Sequence, residues 1–270
     1  MKVLTIVGAR PQFIKASVVS RAFAKASVEE VVVHTGQHYD ENMSDIFFEQ
    51  MQIPKPVYSL SISGLSHGAM TGRMMEAIET VVLKEKPDWV LVYGDTNSTL
   101  AGALVASKLH ILVAHVEAGL RSFNMKMPEE INRILTDRVS KVLFCPTETA
   151  VAHLKNEGFD DFDIDIRNVG DVMQDVAISF GDLAVAPAGL PTNLKDGFVL
   201  CTVHRAENTD DSGRMASLVE AINEVSENIP VVLPLHPRTR KIIDESGLQL
   251  KATILDPVGY LEMLYLLKNC

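Results

Sequence analysis

The chain has 270 residues, 47% hydrophobic and 22% charged, the balance of a globular protein with room for one large domain or two modest ones. Its net charge of −10 argues against nucleic acid as a partner, although a few local Arg and Lys suffice to hold one diphosphate. The three cysteines, Cys145, Cys201 and Cys270, have no metal spacing and are read as buried thiols in a reducing compartment. With no secretory leader pattern and no apolar run of membrane-spanning length, the expectation is a cytoplasmic protein away from membranes.

In chain order, strands are expected at Val3–Val7, Val31–His34, Trp89–Tyr93, Ile111–Val116, Val142–Cys145, Phe198–Val203, Val231–Leu235 and Ala252–Leu255. Most are continuous apolar runs, as in strands covered on both faces. Helical patterns fill roughly 11–25, 41–51, 66–85, 97–109, 128–140, 148–157, 210–228 and 258–268. This alternation implies right-handed βαβ units and a parallel sheet. The aperiodic stretch 182–196, with two prolines and a glycine, reads as a linker. The fold class is therefore α/β with two Rossmann-like parallel-sheet domains, 1–181 and 190–270, the second incomplete.

The polar clusters follow strands at their carboxyl ends, where open parallel sheets bind ligands. They are Gly8-Ala9-Arg10-Pro11-Gln12, His34-Thr35-Gly36-Gln37-His38, Gly94-Asp95-Thr96-Asn97-Ser98, Glu117-Ala118-Gly119-Leu120-Arg121, His204-Arg205-Ala206-Glu207-Asn208 and His236-Pro237-Arg238. Six in register suggest a cleft lined from both domains. In the first, Gly8 suits a tight turn and Pro11 the first helical position. The helix start that follows favours an anion, Arg10 adds a bidentate donor, and Lys15 lies a turn further on. The loop lacks the Gly-x-Gly-x-x-Gly pattern of dinucleotide sites. The plain alternative is an ordinary strand–helix turn with a surface Arg.

Asp95 and Glu117 each end an apolar strand. If those strands are neighbours the carboxylates share a crevice, and their repulsion would raise one pKa into the range of a general acid or base. The plain alternatives are a helix cap for Asp95 and an ion pair with Arg121 for Glu117. Glu129 and Glu130 open a helix, where acidic groups are stabilising in themselves, and Arg133 is placed to pair with Glu129. His204, beside Arg205 and Glu207, is suited to proton transfer or to a phosphate, with His236 and Arg238 as a second such pair. No histidine spacing implies a metal. His67, His110 and His153 receive no role, and Met70, Met74 and Met75 are read as packing.

These strings, together with His115-Val116-Glu117-Ala118-Gly119-Leu120-Arg121 and Pro128-Glu129-Glu130-x-Asn132-Arg133, resemble the non-hydrolysing UDP-N-acetylglucosamine 2-epimerases in order from residue 1 to residue 270. The resemblance implies a GT-B fold and a cofactor-free inversion at C2: anti elimination of UDP to a glycal, then re-addition. It implies Asp95, Glu117, Glu129 and His204 as acid–base candidates, without assigning the one that removes the C2 proton. It implies Arg10, Lys15, Gln37, His236 and Arg238 as substrate-binding residues, a UDP-sugar as substrate and a homodimer as the assembly. The family continues into an Asp-Ser-Gly-Gly-x-x-x-Glu segment and a final helix returning to the first domain. The resemblance thus implies a C-terminally shortened chain, with its activity in question.

UDP-GlcNAc is the first substrate expected. Arg121-Ser122-Phe123-Asn124-Met125-Lys126-Met127 and Asp171-Val172-Met173-Gln174-Asp175 resemble more closely a branch acting on UDP-2,3-diacetamido-2,3-dideoxyglucuronate in O-antigen synthesis, which ranks second. A GT-B glycosyltransferase and a truncated, non-catalytic nucleotide-sugar binding fragment are the competing functions compatible with the same fold.

Overall fold

The computed structural model describes residues 1–37, 48, 55–194, 197–204 and 206–270. The chain divides into two compact units, Met1–Val176 and Ala177–Cys270.

The first unit runs β1 (Lys2–Val7), α1 (Arg10–Lys25), β2 (Glu29–His34), β3 (Tyr58–Ser59), α2 (His67–Glu85), β4 (Trp89–Tyr93), α3 (Asn97–Lys108), β5 (Leu112–Val116), α4 (Pro128–Val139), β6 (Val142–Cys145), α5 (Glu148–Asn156) and β7 (Asp165–Asn168). All seven strands are parallel, in the order β3-β2-β1-β4-β5-β6-β7. The order reverses between β1 and β4, which opens a crevice at their carboxyl ends. Tyr93 pairs with Val116, so the residues after β4 and β5 leave the sheet at one level.

Alternation along the strands sends Leu4, Ile6, Val31, Val33, Val90, Val92 and Val113 to one face. Met74, Ile78, Val81 and Val82 of α2 pack there, with Met70 and Met75 against the same cluster. Each large side chain buried in this way stabilises the fold by about 1.5–3 kcal/mol. Helix α3 is built from small residues and sits close to the sheet; a Cβ at Gly102 would lie 2.5 Å from Ile6 Cδ1. On α1, Phe13 is buried and meets His34 edge-on at 4.9 Å. Burial pushes the His34 pKa down to about 4, so the ring is a neutral core group.

Helix α6 (Val172–Phe180) spans the division between the units. The second unit continues with β8 (Val199–Leu200), α7 (Ala206–Thr209), α8 (Ser212–Ser226), β9 (Val231–Pro234), α9 (Pro237–Ser246), β10 (Thr253–Leu255) and α10 (Tyr260–Asn269). Its sheet has the order β10-β9-β8, all parallel. Val231, Leu233 and Leu235 pack on Met215, Val219 and Ile222 of α8, while Val232 packs with Phe198, Leu255 and Leu266.

Several expectations need correction. The strand expected at Phe198–Val203 pairs only at Val199–Leu200, and a short helix, α7, precedes the helix expected at 210–228, which forms as α8. Strands β3 and β7 and helices α6 and α9 were not expected. Asp165-Ile166-Arg167-Asn168 is a polar edge strand, and α9 buries only Thr239 and Ile243, so neither shows a strong apolar pattern. Pro11 stands second in α1, after Arg10. Cys145 is buried, its thiol pKa pushed up to about 12 by desolvation, but Cys270 is exposed. The helix expected at 41–51 lies outside the described residues apart from Phe48. His38, Arg205 and the side chain of Glu207 also lie outside them.

Glu130 opens α4 but does not face water. Its carboxylate accepts N–H and O–H of Ser122, both at 2.9 Å, and N–H of Phe123 at 2.8 Å. Arg133 Nη1 lies 3.4 Å away. Burial opposes its charge, but these donors and Arg133 outweigh it and hold the pKa below the usual carboxylate range. Since the folded pKa is depressed, its contribution is present above the unfolded carboxylate value and is lost as pH falls through the folded value.

Two expected outcomes follow. Glu130→Gln should destabilise the fold by about 2–3 kcal/mol at neutral pH, because it replaces an acceptor facing three donors. The gap in melting temperature to wild type should narrow below about pH 4; a gap that does not change with pH would contradict the charge argument. Tyr93 is fully buried, and among the described residues its hydroxyl has no hydrogen-bond partner. Tyr93→Phe should therefore leave stability unchanged or raise it by up to about 1 kcal/mol in denaturant titration; a clear loss would mean the hydroxyl is satisfied.

Candidate active site

Gly8 brings three elements together. A Cβ there would sit 2.1 Å from Ser98 Oγ and 2.2 Å from Thr35 Oγ1, so the need is for close approach, not for a turn. Gln12, one turn into α1 and buried, bridges the reversal point of the sheet. Its Oε1 accepts N–H of Gly8 at 2.8 Å and of Ala9 at 3.0 Å. Its Nε2 donates to the Tyr93 carbonyl at 2.7 Å, with Thr96 Oγ1 and Thr99 Oγ1 within 3.0 Å. The carboxyl ends of β1 and β4 are thus fixed to each other through one side chain.

Strands β4 and β5 are neighbours, as sharing of a crevice by Asp95 and Glu117 requires. Each carboxylate nevertheless has its own cation. Asp95 pairs with Arg133, which also approaches Glu130 and not Glu129. Glu117 pairs with Lys15, both side chains being largely buried. The helix cap expected of Asp95 is supplied by Thr96, whose side chain accepts from Thr99 N–H. Glu117 has φ +70°, a left-handed conformation rare for a side chain of this kind. Gly94, itself at φ +62°, makes room for the carboxylate: a Cβ there would lie 3.2 Å from Glu117 Oε2. Arg121, the expected alternative partner of Glu117, instead holds Asp137 at 2.8 Å and Glu157 at 2.7 Å. Asp137 in turn meets His115 Nδ1 at 2.7 Å, and His115 Nε2 donates to the Gly94 carbonyl at 2.7 Å.

Above this framework lies a cavity of about 450 Å³ lined by Arg10, Gln37, His67, Asp95, Asn97 and Glu129, among others. Burial lowers the Arg10 pKa without removing its charge. Gln37 spends its carbonyl on the start of α3, accepting from Ser98 N–H at 3.0 Å and Oγ at 2.8 Å. Glu129 is exposed, and among the described residues no cation pairs with it. His67, given no role from sequence, lines the cavity and meets Asn97 Nδ2 through Nδ1 at 3.3 Å. Asn132 Nδ2 donates to the Asp95 carbonyl at 2.9 Å and to Asn97 Oδ1 at 3.2 Å.

The remaining candidates belong to the second unit. His204 is exposed and lines a separate, mostly apolar cavity of about 580 Å³ with Cys201, Val203, Asn208 and Leu218. His236 is the N-cap of α9, its Nδ1 accepting from Arg238 N–H at 3.2 Å. Arg238 pairs with Asp210 at 2.5 Å on an exposed surface. Of the nine predicted residues, then, Arg10, Gln37, Asp95 and Glu129 share one cavity. Lys15 and Glu117 form a pair beside Gly94 and do not line that cavity. Sequence reasoning missed Gln12, His67, Asn97 and Asn132 as site residues. A usable signal was the presence of three amide side chains within the strand-end and helix-start motifs.

The family model described as UDP-N-acetylglucosamine 2-epimerase matches residues 21–270. A UDP-2,3-diacetamido-2,3-dideoxy-D-glucuronate 2-epimerase of Pseudomonas aeruginosa is 65% identical, over all of this chain and 76% of that protein. The crystal structure of a Methanocaldococcus jannaschii UDP-GlcNAc 2-epimerase in complex with UDP-GlcNAc and UDP is 46% identical, with a TM-score of 0.82, and covers all of this chain and 77% of that one. The Neisseria meningitidis enzyme bound to UDP-GlcNAc is 31% identical, with a TM-score of 0.84 over all of this chain and 76% of that one. The α/β architecture is that of these GT-B epimerases, and the chain belongs to the UDP-N-acetylglucosamine 2-epimerase family.

Proposed function

We propose that the protein inverts C2 of a UDP-2-acetamido sugar by anti elimination and re-addition, and that its sugar is UDP-2,3-diacetamido-2,3-dideoxyglucuronate. The observation carrying the choice of sugar is the 65% identity across the whole chain to a relative of that name, against 46% to one named for UDP-GlcNAc. UDP-GlcNAc, ranked first from sequence, becomes the second reading, kept because relatives named for it also match the full chain.

A base takes the C2 proton, the C2–H electrons form the C1=C2 bond of a glycal, and UDP departs with the C1–O pair. UDP then returns to C1 while a proton reaches C2 from the opposite face. Asp95, Glu117, Glu129 and His204 are the proposed acid–base groups. Glu129 is suited to exchange a proton, since among the described residues it is tied to no cation. Lys15 and Arg133 offset the charge of Glu117 and Asp95 in a site that must accept a polyanion. Arg10, Lys15, Gln37, His236 and Arg238 are the proposed binding residues. A positioned base supplies roughly 10²–10⁴ in rate, so orientation must supply much of the rest.

Incubation with either UDP-sugar in D2O should place deuterium at C2, faster with the diacetamidouronate. Glu129→Gln should slow that exchange by roughly 10²-fold or more. Absence of exchange with both sugars would refute the activity.

We also propose that a second copy of the chain is its partner. Ile131 and Leu135 lie one turn apart on α4, and Phe123, Met125 and Met127 precede them; all five are exposed apolar side chains. Light scattering should give a dimer mass for the wild type and a monomer mass for the Ile131→Glu, Leu135→Glu double variant. A wild-type monomer at micromolar concentration would dismiss the idea.

A further inference from the structure

We propose that His67 is a specificity-determining residue: its Nε2–H donates to a carbonyl or carboxylate oxygen on the sugar that UDP-GlcNAc lacks. The proposal rests on the epimerase reading above and deepens it by naming a residue that tells one sugar from the other.

The Asp95 carbonyl can only accept, so the Asn132 side-chain atom 2.9 Å from it is the amide nitrogen. That nitrogen also lies 3.2 Å from Asn97, which must therefore present its oxygen. The Asn97 nitrogen then faces His67 Nδ1 at 3.3 Å and Met70 Sδ at 3.8 Å, both acceptors. An acceptor Nδ1 leaves the neutral ring its one proton on Nε2. Three hydrogen bonds thus pass the orientation of a backbone carbonyl to an imidazole on another element, at the first residue of α2.

Among the described residues, no protein group accepts from Nε2, and the ring lines the 450 Å³ cavity beside Arg10, Asn97 and Glu129. The result is a pre-oriented donor on a wall that also carries a cation. A 3-acetamido group and a C6 carboxylate each present an sp² oxygen where N-acetylglucosamine has only hydroxyls. His67 is itself exposed and a hydroxyl oxygen can also accept, so the preference is one of strength: an oriented N–H binds a carboxylate or amide oxygen more strongly than it binds a sugar hydroxyl.

The experiment compares wild type with His67→Ala and His67→Gln, the latter keeping an N–H donor near the Nε2 position. Calorimetry would use UDP-2,3-diacetamido-2,3-dideoxyglucuronate, UDP-2-acetamido-2-deoxyglucuronate, UDP-GlcNAc and UDP. His67→Ala should weaken the diacetamidouronate by roughly tenfold or more, with His67→Gln recovering most of the loss. UDP and UDP-GlcNAc should change less than about twofold, within the scatter of such measurements. An equal loss with the monoacetamido uronate identifies the carboxylate as the acceptor; a loss confined to the diacetamido sugar identifies the 3-acetamido carbonyl. Imidazole ¹⁵N spectra should show Nε2 protonated and Nδ1 bare in the free protein. Unchanged affinity in His67→Ala, an equal loss for all four ligands, or the Nδ1–H tautomer would each overturn the proposal. Wild type that binds the uronate without C2 exchange would refute the epimerase reading alone. Wild type that binds no UDP-sugar would refute both.

Discussion

A backbone carbonyl can accept a hydrogen bond but cannot give one, and two such groups at the end of β4 set the polarity of the first unit's site. The Gly94 carbonyl takes the Nε2–H of His115, whose other nitrogen meets Asp137 and, through it, Arg121 and Glu157. The Asp95 carbonyl takes Asn132, which orients Asn97 and then His67. The first chain runs into the interior, where the side chains of His115, Asp137 and Arg121 are buried and cross-tied, and it ends at the half-buried Glu157. The second runs outward to the cavity and ends in a side chain with a hydrogen still to donate.

Holding these groups requires backbone conformations that an isolated chain avoids. Glu117 at φ +70° and Phe123 at φ +57° each cost on the order of 1–3 kcal/mol. Both are stapled in place. Glu117 is fixed by Lys15 and by its N–H to the Phe144 carbonyl at 3.1 Å, and Phe123 by its N–H to Glu130. The two adjacent acidic residues that open α4 therefore do different work. Glu130 is buried and tensions the loop before the helix, whereas Glu129 is exposed and lines the cavity. Sequence position alone could not separate them, since acids in a first helical turn are stabilising whichever way they point.

The same limit explains what was legible and what was not. Buried parallel strands announce themselves as apolar runs, so β1, β2, β4, β5 and β6 and the loops after them were readable. Edge strand β7 and the polar helix α9 were not, because neither needs a strong apolar pattern. Strand order placed Asp95 and Glu117 on adjacent loops, but the cations that meet them come from α4 and α1, across 38 and 102 residues of sequence. Pairing of that kind is a product of packing. His67 was invisible for the same reason: its neighbour Asn97 stands 30 residues away, and nothing in Leu65-Ser66-His67-Gly68 marks the ring as oriented.

A chain of net charge −10 is a poor receptor for a polyanion unless its acids are neutralised where the ligand enters. Lys15 and Arg133 do this for Glu117 and Asp95, and Arg10 adds a half-buried cation that water screens incompletely. Surplus negative charge lies elsewhere, some of it on an exposed helix face at Glu220 and Glu224. Local pairing therefore decides what the cavity accepts, and net charge decides only what the rest of the surface repels. A carboxylate on the sugar adds to the demand on the cavity wall. An N–H donor held in a fixed orientation answers part of it, and the contact with Asn97 sets the orientation of the His67 ring.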